Sequence, residues 1–196
     1  MGLHWHSFFL MKRLFDLVLS LFLLVLLGPI MTLTALLVRL TSPGPIFHWS
    51  KRIGIQNQIF LMPKFRSMKI NTPQLATHLL TNSESFLTPI GSFIRKTSLD
   101  ELPQIFSVIA GDMSFVGPRP ALFNQDDLIA LRTEKNVHLI QPGITGWAQI
   151  NGRDELPIPL KVSFDEFYLN NRSLVFDIKI ILLTAYKVIK RDGIQH

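Results

Sequence analysis

The chain has 196 residues, room for one domain and hardly two. Hydrophobic side chains make up 47% and charged ones 17%, which excludes a disordered chain, and the lack of cysteine excludes disulfide scaffolds, cysteine-based zinc sites, thiol nucleophiles and iron–sulfur clusters. The net charge of +6 is localised: from Leu17 to Ser83 there is no acidic residue but Arg39, Lys51, Arg52, Lys64, Arg66 and Lys69, while the remainder balances. A basic segment directly after an apolar one points to acidic lipid or a phosphorylated substrate rather than to nucleic acid.

Residues 1–11 read as an N-terminal extension, with Met11 as a second candidate start. Leu17–Val38 is 22 residues without a charge, about 33 Å as a straight helix and enough to reach across a bilayer. It is too long for the apolar part of a signal peptide, and no small-residue cleavage site follows it. Gly28-Pro29 falls in its middle, where proline removes a hydrogen bond and predicts a break. Lys12 and Arg13 precede the run, and Arg39, Lys51 and Arg52 follow it, so neither flank favours export. Two readings stand open at this point: a helix broken at its centre over residues 12–40 with both ends on the cytoplasmic side, or an ordinary kinked span.

Thr41-Ser42-Pro43-Gly44-Pro45 is a turn-rich breaker. Ile46–Ile53 and Gln58–Lys64 read as two short strands around a polar turn at Gly54–Asn57, and 71–89 as a loop with at most one helical turn. Helices are predicted at Thr88–Lys96, Pro103–Ala110, Gln125–Thr133, Phe164–Asn170 and Leu174–Arg191. The last is the clearest: Leu174, Ile178, Ile181, Leu182, Ala185, Val188 and Ile189 recur at helical spacing, and core packing is expected ahead of a membrane-surface position.

Three polar constellations carry candidate chemistry. In Arg95-Lys96-Thr97-Ser98-Leu99-Asp100-Glu101-Leu102-Pro103-Gln104, Ser98 and Glu101 have the spacing of a capping box. The same turn could instead present one carboxylate to a metal and the other to a reacting phosphate. Adjacent carboxylates cannot flank a glycosidic bond from opposite sides, so a glycosidase pair is disfavoured. In Gly111–Pro120, Pro118 and Pro120 bracket Arg119 and would aim one guanidinium, a group whose planar fork suits phosphate. In Gln141–Arg153, several glycines permit close backbone approach and Arg153 is another phosphate candidate, but the pattern matches neither a P-loop nor a dinucleotide fingerprint.

Taken in series, KRLFDL, TSPGPIF, KRIG, PKFRSM, TSLDELPQI, GDMSFVGPRP and PGITGWAQINGR resemble the bacterial monotopic phosphoglycosyl transferases, sugar transferases that begin glycan assembly on polyprenol phosphate. The match runs from about Lys12 to Gly193. The resemblance implies that Asp100 attacks the sugar-bearing phosphorus of a UDP-sugar, expelling UMP, and that polyprenol (undecaprenyl) phosphate then takes the phosphosugar. It implies that Glu101 holds Mg²⁺ and that Lys64, Arg95, Arg119 and Arg153 bind phosphate or nucleotide, while Arg66 is equally a surface or lipid-facing charge. The fold expected is α+β and helix-rich: a re-entrant membrane helix broken at Gly28 and Pro29, then one cytoplasmic catalytic domain over 41–196 with a few short strands and a C-terminal amphipathic helix. The resemblance places the chain at the bacterial cytoplasmic membrane, in contact with lipid, with its catalytic domain on the cytoplasmic face. The sugar expected is an N-acetylhexosamine type.

The sequence departs from the family pattern in places. Glycine stands at 28 where the break usually has serine, Ser50 replaces a common glutamine, and Pro63 replaces an aromatic. The match covers the catalytic unit, without the extra spanning helices and regulatory domain of longer members. The competing class is a non-enzymatic, membrane-anchored protein that binds acidic lipid through 39–69.

Overall fold

The uncharged run produces the longest element. In the computed structural model, which describes residues 2–70, 72, 83–152 and 156–190, helix α1 extends over Gly2–Thr41. The expected break does not interrupt it: one helix carries through Gly28 with Pro29 inside, and the boundary expected after residue 11 also falls within it. Pro29 has no N–H to offer the Val25 carbonyl one turn back. Val25 is 83% exposed, and the Thr32 hydroxyl donates to the neighbouring Gly28 carbonyl at 2.9 Å. The physical reason for continuity lies in the flanking turns, where leucines, valines and alanine sustain helical hydrogen bonding on both sides of a single defect.

One face of α1 is buried along most of its length. Asp16, Ser20, Met31, Thr34 and Val38 are buried at intervals of three, four or eleven residues, a single stripe that stays in phase across the proline. The opposite face stays apolar and exposed, as at Leu14, Leu21, Val25, Leu33 and Leu40. Both ends are fastened to the same body. Near the start, Lys12 Nζ donates to Asp177 Oδ2 at 2.5 Å, Asp16 accepts from Phe115 N at 3.2 Å, and Arg13 donates to the Val108 and Ile109 carbonyls at 2.6 Å each. Those two carbonyls close helix α3 (Gln104–Ala110), so Arg13 caps a helix C-terminus. Near the far end, Val38 is fully buried against Phe65 and Ile94, and the Arg66 guanidinium donates to the Ser42 and Pro43 carbonyls.

The two expected strands form an antiparallel hairpin, β1 (Phe47–Ile53) and β2 (Ile59–Phe65), closed by a short 3-10 turn at Ile55–Asn57. Its register pairs His48 with Lys64, Ser50 with Met62 and Arg52 with Phe60, so these six share one face. Met62 on that face is 3% exposed and lies in the main core, which turns Lys64 inward as well.

Helices α2 (Gly91–Lys96) and α3 follow, separated by a 3-10 turn at Leu99–Glu101. Then come strand β3 (Ser114–Val116), α4 (Asp126–Glu134), strand β4 (Gly143–Thr145), the one-turn α5 (Trp147–Ile150), α6 (Ile158–Asn171) and α7 (Leu174–Lys190). Helices α2, α3, α4 and α7 fall within three residues of the expected ranges, α6 begins six residues earlier than Phe164, and the single turn α5 was not expected. Most of the loop expected at 71–89 lies outside the described residues.

Strands β3 and β4 add to the sequence reading, which placed no strand in either segment. They pair in parallel, Ser114 with Gly143 and Val116 with Thr145. The glycines explain the close fit. A Cβ at Gly143 would lie 2.1 Å from Gly117 N, and one at Gly146 would lie 2.1 Å from Gly117 O.

Buried Met62, Val108, Met113, Phe115, Val116, Ile140, Ile150, Tyr168 and Ile180 form the main core, with Leu19 and Leu23 of α1 packed on it. The expectation for α7 is met on one face only. Asp177 and Ile180 are fully buried, whereas Val175 and Leu182 stand 78% and 65% exposed.

Candidate active site

The acidic pair sits on the 3-10 turn between α2 and α3. Ser98, which precedes it, has φ 56° and ψ 17°, a left-handed conformation that a non-glycine residue adopts only under local constraint. Its hydroxyl makes no capping hydrogen bond, so the capping box expected from the Ser98–Glu101 spacing does not form. The left-handed residue turns the chain sharply, and Glu101 is engaged elsewhere.

Glu101 Oε1 accepts from Lys64 Nζ at 2.6 Å and from Arg119 Nη2 at 3.3 Å. Lys64 arrives from β2, on the inward face set by the hairpin register, and Arg119 from the segment after β3. Burial alone would raise the Glu101 carboxyl, but the two cations outweigh it and hold it well below the ordinary carboxylate range. Both bonds fall on one oxygen, which leaves Oε2 outside them.

Asp100 has the opposite balance. It is 9% exposed, and burial pushes its carboxyl from an ordinary 3.8 up to about 6, with Glu101 adding to the rise while Lys64 and Arg95 oppose it. Neighbouring carboxylates held at such different values can take different roles at neutral pH, one a fixed anion and the other poised to gain or lose charge.

The structure thus brings together five of the expected site residues: Lys64, Arg95, Asp100, Glu101 and Arg119. Arg153 lies outside the described residues. The hinge residues Gly28 and Pro29 are on α1, where a Cβ at Gly28 would meet nothing within 4 Å.

The basic segment proves to have several distinct duties. Arg66 is 4% exposed with its guanidinium on two backbone carbonyls, so it is a structural tie and not a lipid-facing charge. Arg52 Nη1 donates to the Pro120 carbonyl at 3.2 Å, beside Arg119. Lys69 Nζ donates to the Ser85 carbonyl at 2.8 Å, and Lys51 stands 5.9 Å above the Phe123 ring. Lys51 and Arg39 remain exposed.

Comparison with known proteins decides the family. The family model for bacterial sugar transferases matches residues 7–191. The chain belongs to the bacterial sugar transferase family. It is 43% identical to the uncharacterised sugar transferase EpsL of Bacillus subtilis strain 168 over 188 residues, 95% of this chain and 91% of that protein. It is 40% identical over 185 residues to the UDP-glucose:undecaprenyl-phosphate glucose-1-phosphate transferase of Escherichia coli K12, across 91% of this chain and 40% of that protein. It is 35% identical to the UDP-N-acetylgalactosamine-undecaprenyl-phosphate N-acetylgalactosaminephosphotransferase of Aeromonas hydrophila, across 93% of this chain and 44% of that protein. This bacterial sugar transferase therefore spans nearly the whole of one relative and about two fifths of the other two.

Two buried ionic clusters of this family member escaped the sequence reading. Lys12, Asp177 and Tyr168 meet at the Val116 carbonyl, which accepts from Lys12 Nζ at 3.2 Å, while the Tyr168 hydroxyl donates to Asp177 Oδ1 at 2.7 Å and lies 3.1 Å from Val116 O. Arg132 and Asp165 meet behind Arg119. Lys12 lies 165 residues from Asp177, and Arg132 lies 33 residues from Asp165. Only the rarity of a lysine and two aspartates beside otherwise apolar helical faces could have flagged Lys12, Asp165 and Asp177.

Proposed function

We propose that the protein is a phosphoglycosyl transferase that moves a sugar-1-phosphate from a UDP-sugar to polyprenol phosphate, as the first membrane step of a glycan assembly. The observation that carries this reading is the dyad: a buried Asp100 poised near neutrality beside a Glu101 fixed by Lys64 and Arg119, in a chain whose relatives are named for that transfer.

In the first step an Asp100 carboxylate oxygen attacks the phosphorus that bears the sugar. The bond from that phosphorus to the bridging oxygen breaks, and the electron pair leaves with UMP. An aspartyl phosphosugar remains. In the second step an oxygen of polyprenol phosphate attacks the same phosphorus, the bond to Asp100 breaks, and the carboxylate is restored with polyprenyl diphosphate sugar as product. Dividing the transfer in two lets one site handle a water-soluble donor and a lipid acceptor in turn. Lys64, Arg95 and Arg119 place positive charge around the attacking carboxylate, which otherwise would be repelled by the diphosphate.

Magnesium fits the donor set. No cluster of three or more acidic, histidine or cysteine side chains able to hold a metal occurs among the described residues, so these alone do not form a closed protein cage. Magnesium commonly takes one or two carboxylates and fills its shell with water and phosphate oxygens, and Glu101 has Oε2 to give. When bound it would supply charge neutralisation at the diphosphate.

The membrane topology belongs to the same proposal. Helix α1 includes an apolar stretch, Phe8–Thr41, long enough to cross a bilayer. Its two ends are nevertheless tied to one body, through Lys12, Arg13 and Asp16 at the start and Val38, Ser42 and Pro43 at the end. We infer that α1 seats its exposed apolar face in the bilayer and bends at Pro29 without losing its helical course, so that both ends lie on the cytoplasmic side, where the catalytic domain sits. The engagement of Arg52 and Arg66 with backbone carbonyls weighs against the non-enzymatic lipid-binding reading, since it removes two cations from that surface.

The expectation of an N-acetylhexosamine donor remains a proposal beside relatives named for glucose and for N-acetylgalactosamine. The experiment is UMP release from a panel of UDP-sugars by the protein in membranes or detergent, with and without undecaprenyl phosphate and Mg²⁺. Multiple-turnover release that requires all three components, with at most one equivalent of UMP per protein when undecaprenyl phosphate is left out, supports the reading. No release from any UDP-sugar would contradict it.

A further inference from the structure

We propose that Arg132 and Asp165 are a positioning pair that holds the Arg119 segment in register with the acidic dyad. The inference rests on the reading of Arg119 as a phosphate-binding residue of the transfer.

Pro118 and Pro120 have no N–H, so this stretch has few donors with which to join a ladder and must be held by its acceptors. Its carbonyls are held one after another. Pro118 O accepts from Gly143 N at 2.9 Å, Arg119 O from Arg132 Nη1 at 2.8 Å, Pro120 O from Arg52 Nη1 at 3.2 Å, and Ala121 O from Ile53 N at 3.0 Å. The donors come from β4, α4 and β1, so three elements converge on four residues.

Of these, the bond at Arg119 itself has the most elaborate support. Arg132 is 8% exposed and Asp165 is 1% exposed. Asp165 Oδ2 accepts from both Nε and Nη2 of Arg132, at 3.0 and 2.7 Å, which orients the guanidinium plane and leaves Nη1 for the Arg119 carbonyl. Leu128 and Arg132 lie on one face of α4, and Val162 and Asp165 on one face of α6. Leu128 and Val162 pack together with Ala121, which anchors both helices to the same segment. The chain of support therefore runs from Asp165 through Arg132 to the Arg119 backbone, and from the Arg119 side chain to Glu101 at 3.3 Å.

A merely structural ion pair would not need this fork. A lysine at 132 could neutralise Asp165, but a single ammonium cannot meet the carboxylate through two nitrogens while a third faces the carbonyl. Arg132→Lys thus keeps the buried charge paired and loosens the hold on Arg119.

The test is a double-mutant cycle on the full chain, with kcat/KM for UMP release and thermal unfolding measured for wild type, Arg132→Lys, Arg119→Ala and the double variant. With Arg119 present, Arg132→Lys is expected to lower kcat/KM about tenfold; with Arg119 already removed, the same change is expected to cost less than about twofold. Its effect on unfolding should be the same in both backgrounds. Asp165→Asn, which keeps the shape and one acceptor oxygen, should follow the same pattern. An equal loss in both backgrounds, or no loss with Arg119 present, would overturn the proposal. An Arg119→Ala variant that releases UMP normally would instead refute the reading of Arg119, visible in that single variant, and the positioning role would fall with it.

Discussion

Replacing Asp100 by asparagine removes one negative charge and almost no volume, so its consequences follow from the electrostatics of the site. Burial holds the Asp100 carboxyl at about 6 against an ordinary 3.8. At roughly 1.4 kcal/mol per unit, keeping it ionised in the folded protein costs about 3 kcal/mol at neutral pH. The sign follows from proton binding. Below about pH 4 the group is protonated whether folded or unfolded, and asparagine gains nothing. As pH rises through about 6, the folded protein must carry a charge that the unfolded chain carries freely, and stability is lost. Asp100→Asn should therefore unfold at a higher temperature than wild type at pH 8, by several degrees for a chain of this size, with the advantage shrinking toward pH 4. The same variant should lose turnover on the order of 10³-fold or more, because the amide cannot act as the nucleophile. Thermal unfolding across pH 4–8, with UMP release on the same samples, reads both effects. A variant that is less stable at pH 8, or whose advantage does not change with pH, would refute the assigned balance of burial and charge.

Wild-type turnover should rise with pH along a limb centred near 6, as Asp100 ionises; a flat profile between pH 5 and 8 would deny Asp100 an ionised role. Lys12→Met leaves the fully buried Asp177 without its cation and should cost about 3–5 kcal/mol, read as a large fall in unfolding temperature. Gly143→Ala places a Cβ 2.1 Å from Gly117 N and should destabilise the β3–β4 pair and depress UMP release, whereas Gly28→Ala meets nothing within 4 Å and should fold normally. Because the chain has no cysteine, single cysteines introduced at Leu3 and Ser50 can be labelled without background. Both should react only with reagent that reaches the cytoplasmic side, and periplasmic labelling at position 3 would contradict the topology.

Much of the architecture was legible because it follows from pattern. The apolar run pointed to α1, two short segments around a polar turn pointed to the hairpin to within a residue at each end, and the helical spacing after Leu174 pointed to α7. Strands β3 and β4 were not legible: each is three residues long, too short for periodicity, and what defines them is close backbone approach at glycines. Proline at 29 overstated the break, since one missing hydrogen bond does not end a helix whose neighbours on both sides support it. At the site, the spacing of Ser98 and Glu101 was compatible with both a cap and a catalytic turn, and only the left-handed Ser98 and the pairing of Glu101 with Lys64 distinguish them. The family resemblance singled out Asp100 and Glu101. It could not supply Arg132 and Asp165, whose meeting depends on how α4 and α6 pack.

The most direct test of the proposed chemistry is the covalent intermediate. Wild-type protein incubated with a UDP-sugar and Mg²⁺, without polyprenol phosphate, should gain the mass of one sugar phosphate on the peptide containing Asp100, release one equivalent of UMP, and lose the adduct when undecaprenyl phosphate is added. Asp100→Asn should gain none. Transfer to undecaprenyl phosphate that proceeds with no adduct on Asp100, or that persists in the asparagine variant, would contradict the account.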